Sequence, residues 1–146
     1  MNLQHKFQET AILEKDLRSW LNLRQELIVQ FNQLCHFRPF TQTQDLPPLE
    51  ENLWAFCQIL LDYVSIGQFD MFEKLIRHIE KNHHAYKLPK TLLQDLRQTA
   101  LIALDFNDRY THLFSRKTLD KDLSYLAEHL AYRFDWEDDL IALYRT

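Results

Sequence analysis

The sequence predicts an all-α protein: an up-and-down four-helix bundle with one stave broken near Gly67. Three observations predict it. Apolar residues recur at spacings of three and four along almost the whole chain, and the strict alternation of a half-buried strand is absent. One glycine and four prolines in 146 residues are too little punctuation for the many tight turns of a sheet. Five helical segments emerge whose lengths fit four staves.

The first segment is expected over about Glu9 to His36, on the seam Leu13, Leu17, Trp20, Arg24, Leu27, Phe31 and Leu34. Phe37 to Pro48 reads as a loop, with Pro39, Pro47, Pro48 and a Thr/Gln tract. The second helix runs from about Leu49 to Ser65, and Gly67 interrupts it before a third from about Phe69 to Asn82. A break at His83 to Pro89 precedes a fourth helix from about Lys90 to Phe114. Thr118 or Asp120 is placed to cap the fifth, which continues to about Tyr144. At ~1.5 Å per residue the first, fourth and fifth helices are each about 38–42 Å long, and the second and third each near half that. Laid end to end with a kink at Gly67, the two short ones match the long ones.

A chain of this length buries roughly 68–70% of its unfolded surface. With 46% apolar and 26% charged residues it has the composition of a folded protein rather than a disordered one. Residues 1–146 are read as a single helical domain. Cys35 and Cys57 lie inside apolar helical patterns without CxxC spacing, as reduced core thiols do. No basic-then-apolar signal segment opens the chain, and no apolar run approaches the ~18 residues of a membrane span. The expected location is the cytoplasm, away from any membrane.

The net charge of −4 is unevenly spread. Residues 1–117 carry 14 acids and 14 bases, whereas residues 118–146 carry seven acids and three bases, so the imbalance lies in the last segment. Such a surface repels nucleic acid and attracts basic partners.

Little catalytic chemistry is legible. A di-iron bundle needs two Glu-x-x-His pairs, and only Glu80–His83 has that spacing. No Gly-rich phosphate loop and no nucleophile elbow are present. No metal or other cofactor is expected, and no enzyme activity. Two inward charges do stand out. Arg24 falls on the first seam between Trp20 and Leu27, and Glu137 or Asp138 on the last between Phe134 and Ile141. Charges at such positions need partners. An Arg24–carboxylate pair linking the first and last staves is one reading; a charged pocket is the other.

The stretch Leu53–Ile66 is more apolar than a stave requires. Eleven of its fourteen residues are apolar, and the other three, Gln58, Asp62 and Ser65, fall on one line at helical spacing. A stave needs an apolar arc of little more than 100°. Either neighbours cover the surplus, or it receives another protein, with Asp62 rimmed by Ile59, Tyr63 and Ile66 and able to anchor an arginine.

The run FCQILLDYVSIGQF, Phe56 to Phe69, with Glu73 as a closing acid, resembles the signature block of the regulator of sigma D family, the Rsd/AlgQ anti-sigma factors of bacteria. That block reads roughly FCQxLVDYxSAGHFxxYE. Two further blocks agree in order and spacing. WLNLRQEL from Trp20 resembles RWLxxRxxL without its leading arginine, and RFDWEDDLI from Arg133 resembles RFxLEDxLI. The similarity spans roughly 13–144. Gln68 stands where the family usually has histidine, Ser19 for arginine, Trp136 for leucine and Phe72 for tyrosine.

The resemblance implies a function that composition does not. Family members bind region 4 of the primary, housekeeping sigma factor, the basic helix-turn-helix region that contacts promoter DNA and the polymerase core. They thereby block its use by RNA polymerase. The aspartate of the family's sigma contact is Asp62 here, and Gln58, Ile59, Ser65, Ile66 and Phe69 surround it in the same block. The implied partner is sigma region 4, with room for a second regulatory protein and no direct contact with nucleic acid. The alternative is a small helical ligand- or metal-binding protein, or an enzyme, using the Arg24/Glu137 region.

Overall fold

The apolar period of three and four becomes helix nearly everywhere in the computed structural model, which describes residues 3–82, 88–112 and 115–146. Helix α1 spans Leu3–Cys35. A short 3-10 turn, Thr43–Asp45, leads into α2, Leu46–Ile66. A π-helical turn, Gly67–Met71, joins α2 to α3, Phe72–Lys81. Helices α4, Leu92–His112, and α5, Arg116–Arg145, complete the chain. No strand occurs among the described residues.

Several boundaries differ from expectation for local reasons. Helix α1 starts six residues earlier than Glu9, and its added turns are exposed. Pro47 and Pro48 lie in the first turn of α2, where a missing N–H costs nothing. Ser115 occupies the position before α5, and neither Thr118 nor Asp120 caps it. The interruption at Gly67 is a π turn that keeps the helix running; Gly67 has φ −59 and ψ −53, ordinary helical values. Most of the expected break from His83 to Pro89, and Phe114 at the expected end of the fourth helix, lie outside the described residues.

Side-chain contacts fix the topology. On α1 and the α2–α3 stave, Phe31 meets Phe56, Trp20 meets Tyr63, and Asp16 meets Lys74. Rising numbers on one meet falling numbers on the other, so the two are antiparallel. The stave and α4 run oppositely by Phe56–Phe106 and by the groove that brings Trp54 beside Tyr110. Tyr110–Asp122 and Leu96–Arg133 do the same for α4 and α5. Glu14–Tyr144 and Arg24–Glu137, with Arg38–Asp120 from the turn after α1, close the ring between α5 and α1. The result is an up-down-up-down bundle in which α2 is diagonal and parallel to α5, while α3, the far half of its stave, packs directly on α5.

One core runs the length of the bundle, from Leu17, Trp20, Leu27 and Leu34 on α1 to Leu119, Leu123, Leu126 and Leu130 on α5. Phe40, at 1% exposure, closes one end from the α1–α2 connection. It does so with φ +70, a conformation rare for a bulky side chain, and donates its N–H to the Phe37 carbonyl at 2.8 Å.

Candidate functional site

The surplus of apolar residues on α2 is only partly covered. Leu53, Phe56, Cys57, Leu60, Tyr63 and Val64 face the core. The opposite face carries Trp54, 60% exposed, Ile66, 41%, and, from the π turn, Phe69, 76%. Asp62 is exposed among them, with Gln58, Ile59 and Ser65 half-buried at its sides. At about 100° per residue, residues 54, 58, 61, 62, 65 and 66 share one outward arc. Asp62 makes no salt bridge among the described residues. A carboxylate set in an apolar, solvent-facing patch is suited to receive a cation, because a docking partner would dry it and strengthen the pairing.

One residue expected at the rim of this patch is elsewhere. Tyr63 is fully buried, since one step along a helix turns the side chain by about 100°. It lies at the centre of a buried ionic cluster. Its hydroxyl donates a short hydrogen bond to Glu137 Oε2 and accepts one from Arg133 Nε at 3.0 Å. Its carbonyl accepts from Trp20 Nε1 at 3.0 Å, and the Trp20 and Tyr63 rings stack at 5.4 Å.

Arg133 and Glu137, one turn apart on α5, are both fully buried and pair at 2.9 Å. Arg133 Nη1 also donates to the Leu96 carbonyl at 2.9 Å and to Thr99 Oγ1 at 3.1 Å. Its guanidinium lies 5.1 Å from the Phe72 ring centre and 5.3 Å from that of Tyr63. Arg24 reaches the cluster from α1, at 3.2 Å from Glu137 Oε1 and 2.8 Å from the exposed Asp138. Burial raises the Glu137 carboxyl above the usual carboxylate range, against the pull of Arg133, Tyr63 and Arg24. Burial and the Glu137 charge raise the Tyr63 phenol well above its ordinary value, so it stays a donor. The cluster ties α1, α2, α4 and α5 together at mid-bundle.

Arg133 is the site residue that inspection of inward charges missed. The seam Leu119, Leu123, Leu126, Leu130, Arg133, Glu137, Leu140, Tyr144 steps by three and four without a gap, and every member is buried. Phe134, expected on that seam, sits beside it and is half-buried, its ring 5.3 Å under the Arg24 guanidinium. Among the described residues, no three His, Cys, Asp or Glu side chains are grouped to hold a metal ion, and no helix is long and apolar enough to cross a membrane.

Comparison with known proteins bears on the outward face and the cluster alike. The family model described as "Regulator of RNA polymerase sigma(70) subunit, Rsd/AlgQ" matches residues 2–144. The chain is 32% identical to "Regulator of sigma D" of Enterobacter sp. (strain 638), over 85% of this chain and 76% of that protein. It is 30% identical to "Regulator of sigma D" of Yersinia enterocolitica, over 84% and 75% respectively. It is 32% identical to the protein of that description from Salmonella paratyphi A, over 85% and 78%. No solved structure matches. The match covers both the α2 face around Asp62 and the α5 segment that carries Arg133 and Glu137, and the chain belongs to the Rsd/AlgQ family of regulators of the RNA polymerase sigma(70) subunit.

Proposed function

We propose that this protein is an anti-sigma factor that binds region 4 of the primary sigma factor through the outward face of α2 and withholds it from RNA polymerase. The observation that carries the reading is the exposed Trp54, Ile66 and Phe69 grouped around Asp62. A soluble helix leaves large apolar groups contiguous on its surface chiefly where something docks. The proposed anchor is Asp62 against an arginine of the basic sigma region, with Gln58, Ile59, Ser65, Ile66 and Phe69 as the surrounding contact. An arginine held there is unavailable to DNA phosphate. The activity is binding alone, without catalysis or cofactor, and its place is the cytoplasm, where the polymerase works. The Arg24/Glu137 region serves the fold in this reading, since Glu137 is already satisfied by Arg133, Tyr63 and Arg24.

Calorimetry of the chain with isolated sigma region 4 tests this. Asp62→Ala is expected to weaken binding by about 2–5 kcal/mol, roughly 30- to 4000-fold. The helical circular dichroism and melting temperature should be preserved, because Asp62 is exposed. Unchanged affinity in a folded variant would remove Asp62 from the interface. Failure of the parent chain to bind region 4 at all would end the proposal.

A further inference from the structure

The flank of α5 that faces α4 carries a second exposed feature, remote from the Asp62 face. Tyr125, His129, Tyr132 and Trp136 recur at steps of four, three and four, and so fall within about 60° of arc on the helix. Their rings form an unbroken ladder, with centroids 4.4, 6.0 and 6.2 Å apart in sequence order. Tyr125 is 53% exposed and Tyr132 48%. The ladder borders a groove of about 340 Å³ between α4 and α5, lined by Leu101, Ile102, Asp105, Arg109, Asp122 and Tyr125. Single exposed aromatics are ordinary. Here two exposed rings, Tyr125 and Tyr132, stand in one line with the half-buried His129 and Trp136, and burial does not explain that exposed pair on a helix whose fold needs only its inner seam.

The charge on the solvent side of the ladder is predominantly acidic. Glu128, Asp135 and Asp139 lie about 40–80° from Tyr125 on its solvent side, and all three are exposed. Other acids of α5 are spoken for: Asp120 by Arg38, Asp138 by Arg24, Asp122 by Tyr110 and Arg109. Asp135 and Asp139 make no salt bridge among the described residues, and the Glu128 carboxylate only accepts the Tyr132 hydroxyl at 3.4 Å. Lys121, one turn before Tyr125, is the nearest base on this flank of α5. The chain's net negative charge lies in residues 118–146, and its uncompensated part is concentrated along this ladder.

We infer that the Tyr125–Trp136 flank of α5 docks a basic amphipathic helix of a protein other than the sigma factor. Its apolar line would lie on the aromatic ladder and its lysines or arginines would reach Glu128, Asp135 and Asp139. The chemistry rejects the other occupants. Single-stranded nucleic acid stacks on such ladders, but within basic grooves. A second copy of this chain in an isologous contact would set the acidic rim against itself. Helix α5 is diagonal to α2, so a partner seated on the Asp62 face leaves this flank open. The two sites are therefore compatible with simultaneous occupancy, and the inference does not depend on the proposed sigma contact.

The test uses the full chain and a synthetic Leu/Lys amphipathic helix of about 18 residues, roughly 27 Å long, with a Leu/Glu counterpart. Affinity is read by calorimetry and the footprint by amide chemical shifts. The Lys peptide should bind, move amides of residues 125–139, and weaken at least ~10-fold with Tyr125→Ser plus Tyr132→Ser. Asp135→Asn plus Asp139→Asn should weaken it more at low salt than at high salt. Because these aspartates are exposed, that second variant carries the test should the tyrosine variant fail to fold. Saturating sigma region 4 should leave the peptide affinity unchanged. The inference is overturned by equal binding of the Leu/Glu peptide, by a footprint around Asp62, or by undiminished binding to both double variants. Competition by sigma region 4, or a dimer of the chain that the tyrosine variant dissociates, overturns it equally.

Discussion

Arg133 and Glu137 hold seam positions where leucines stand elsewhere on α5. Two ions taken out of water are tolerated there because each finds an opposite charge at hydrogen-bond distance and further polar partners. Truncating one side leaves the other buried and unpaired, which typically costs about 3–5 kcal/mol. Glu137→Gln should lose stability in that range, because Arg133 keeps only neutral acceptors. Arg24→Met should lose about 1–2 kcal/mol, since Glu137 retains Arg133 and Tyr63 and Arg24 is itself partly solvated. Urea denaturation of both variants checks the order; a larger loss for Arg24→Met would show that the α1 contact, not the α5 pair, governs the cluster. Arg24 and Glu137 were legible in the sequence as charges on apolar seams. Arg133 was harder to see because Phe134, the next residue, is the more apolar candidate for the same turn.

At the scale of the element, the π turn is what the single glycine serves. Tyr63, Gly67, Met71, Leu75 and Ile79, each four residues on, are all buried. A regular α-helix drifts about 40° at each such step, and the wider π turn takes up part of that drift. Gly67 is required for close approach rather than for an unusual φ. A Cβ there would lie 3.0 Å from Trp20 Cζ2, 3.2 Å from Arg133 Nη2 and 3.3 Å from Phe72 Cζ. Trp20 and Arg133 are held by stacking and hydrogen bonds and cannot give way cheaply. Gly67→Ala gains up to about 1 kcal/mol in helix propensity but incurs about 1–3 kcal/mol from overpacking. A net loss near 1 kcal/mol is expected by thermal or urea unfolding, and a stabilised variant would contradict the close approach. The sequence marked this place as a break, but a glycine alone does not distinguish a kink from a π turn.

Across the whole molecule, α1 and the turn that follows it are joined to α5 along its length by polar contacts: Glu14 with Tyr144 and Arg145, Arg24 with Glu137 and Asp138, Arg38 with Asp120 and Ser124. At one end, the Tyr144 hydroxyl at 2.8 Å, joined by Arg145, holds the Glu14 carboxyl below its usual range although burial opposes it. The Tyr144 phenol, raised to about 12 by burial and by Glu14, stays protonated through neutral pH and remains a donor. A carboxyl lowered in the folded state binds fewer protons there than in the unfolded chain. Its stabilisation is therefore complete above the unfolded value of about 4.3 and is lost as pH falls through the folded value. Tyr144→Phe should flatten the acid limb of the melting temperature, with variant and parent drawing together as pH falls through the folded value of Glu14. Parallel curves across that range would show that the contact does not titrate with folding.

The all-α class, the staves and most core positions follow from the sequence itself, because a helix buries what its own period of 3.6 places on one face. The apolar seams of α1 and α5 therefore named Leu17, Trp20, Leu27, Leu119 and Leu126 without reference to any neighbour. The family was legible for a related reason: the block from Phe56 to Phe69 mixes core and surface residues in an order that few other helices share. What only the tertiary structure decided are relations between staves. The 100° step from Asp62 to Tyr63 puts them on different faces of α2; the presence of Arg133 and Glu137 on α5 makes the inner face an ionic cluster around Tyr63 and leaves Asp62 in solvent. Apolarity alone would bury Trp54 and Phe69 as readily as Phe56; with α1 and α4 occupying two flanks of α2, no stave remains to cover the third. Burial depends on which surfaces meet, and that is settled by four helices packed together, not by the pattern of any one of them.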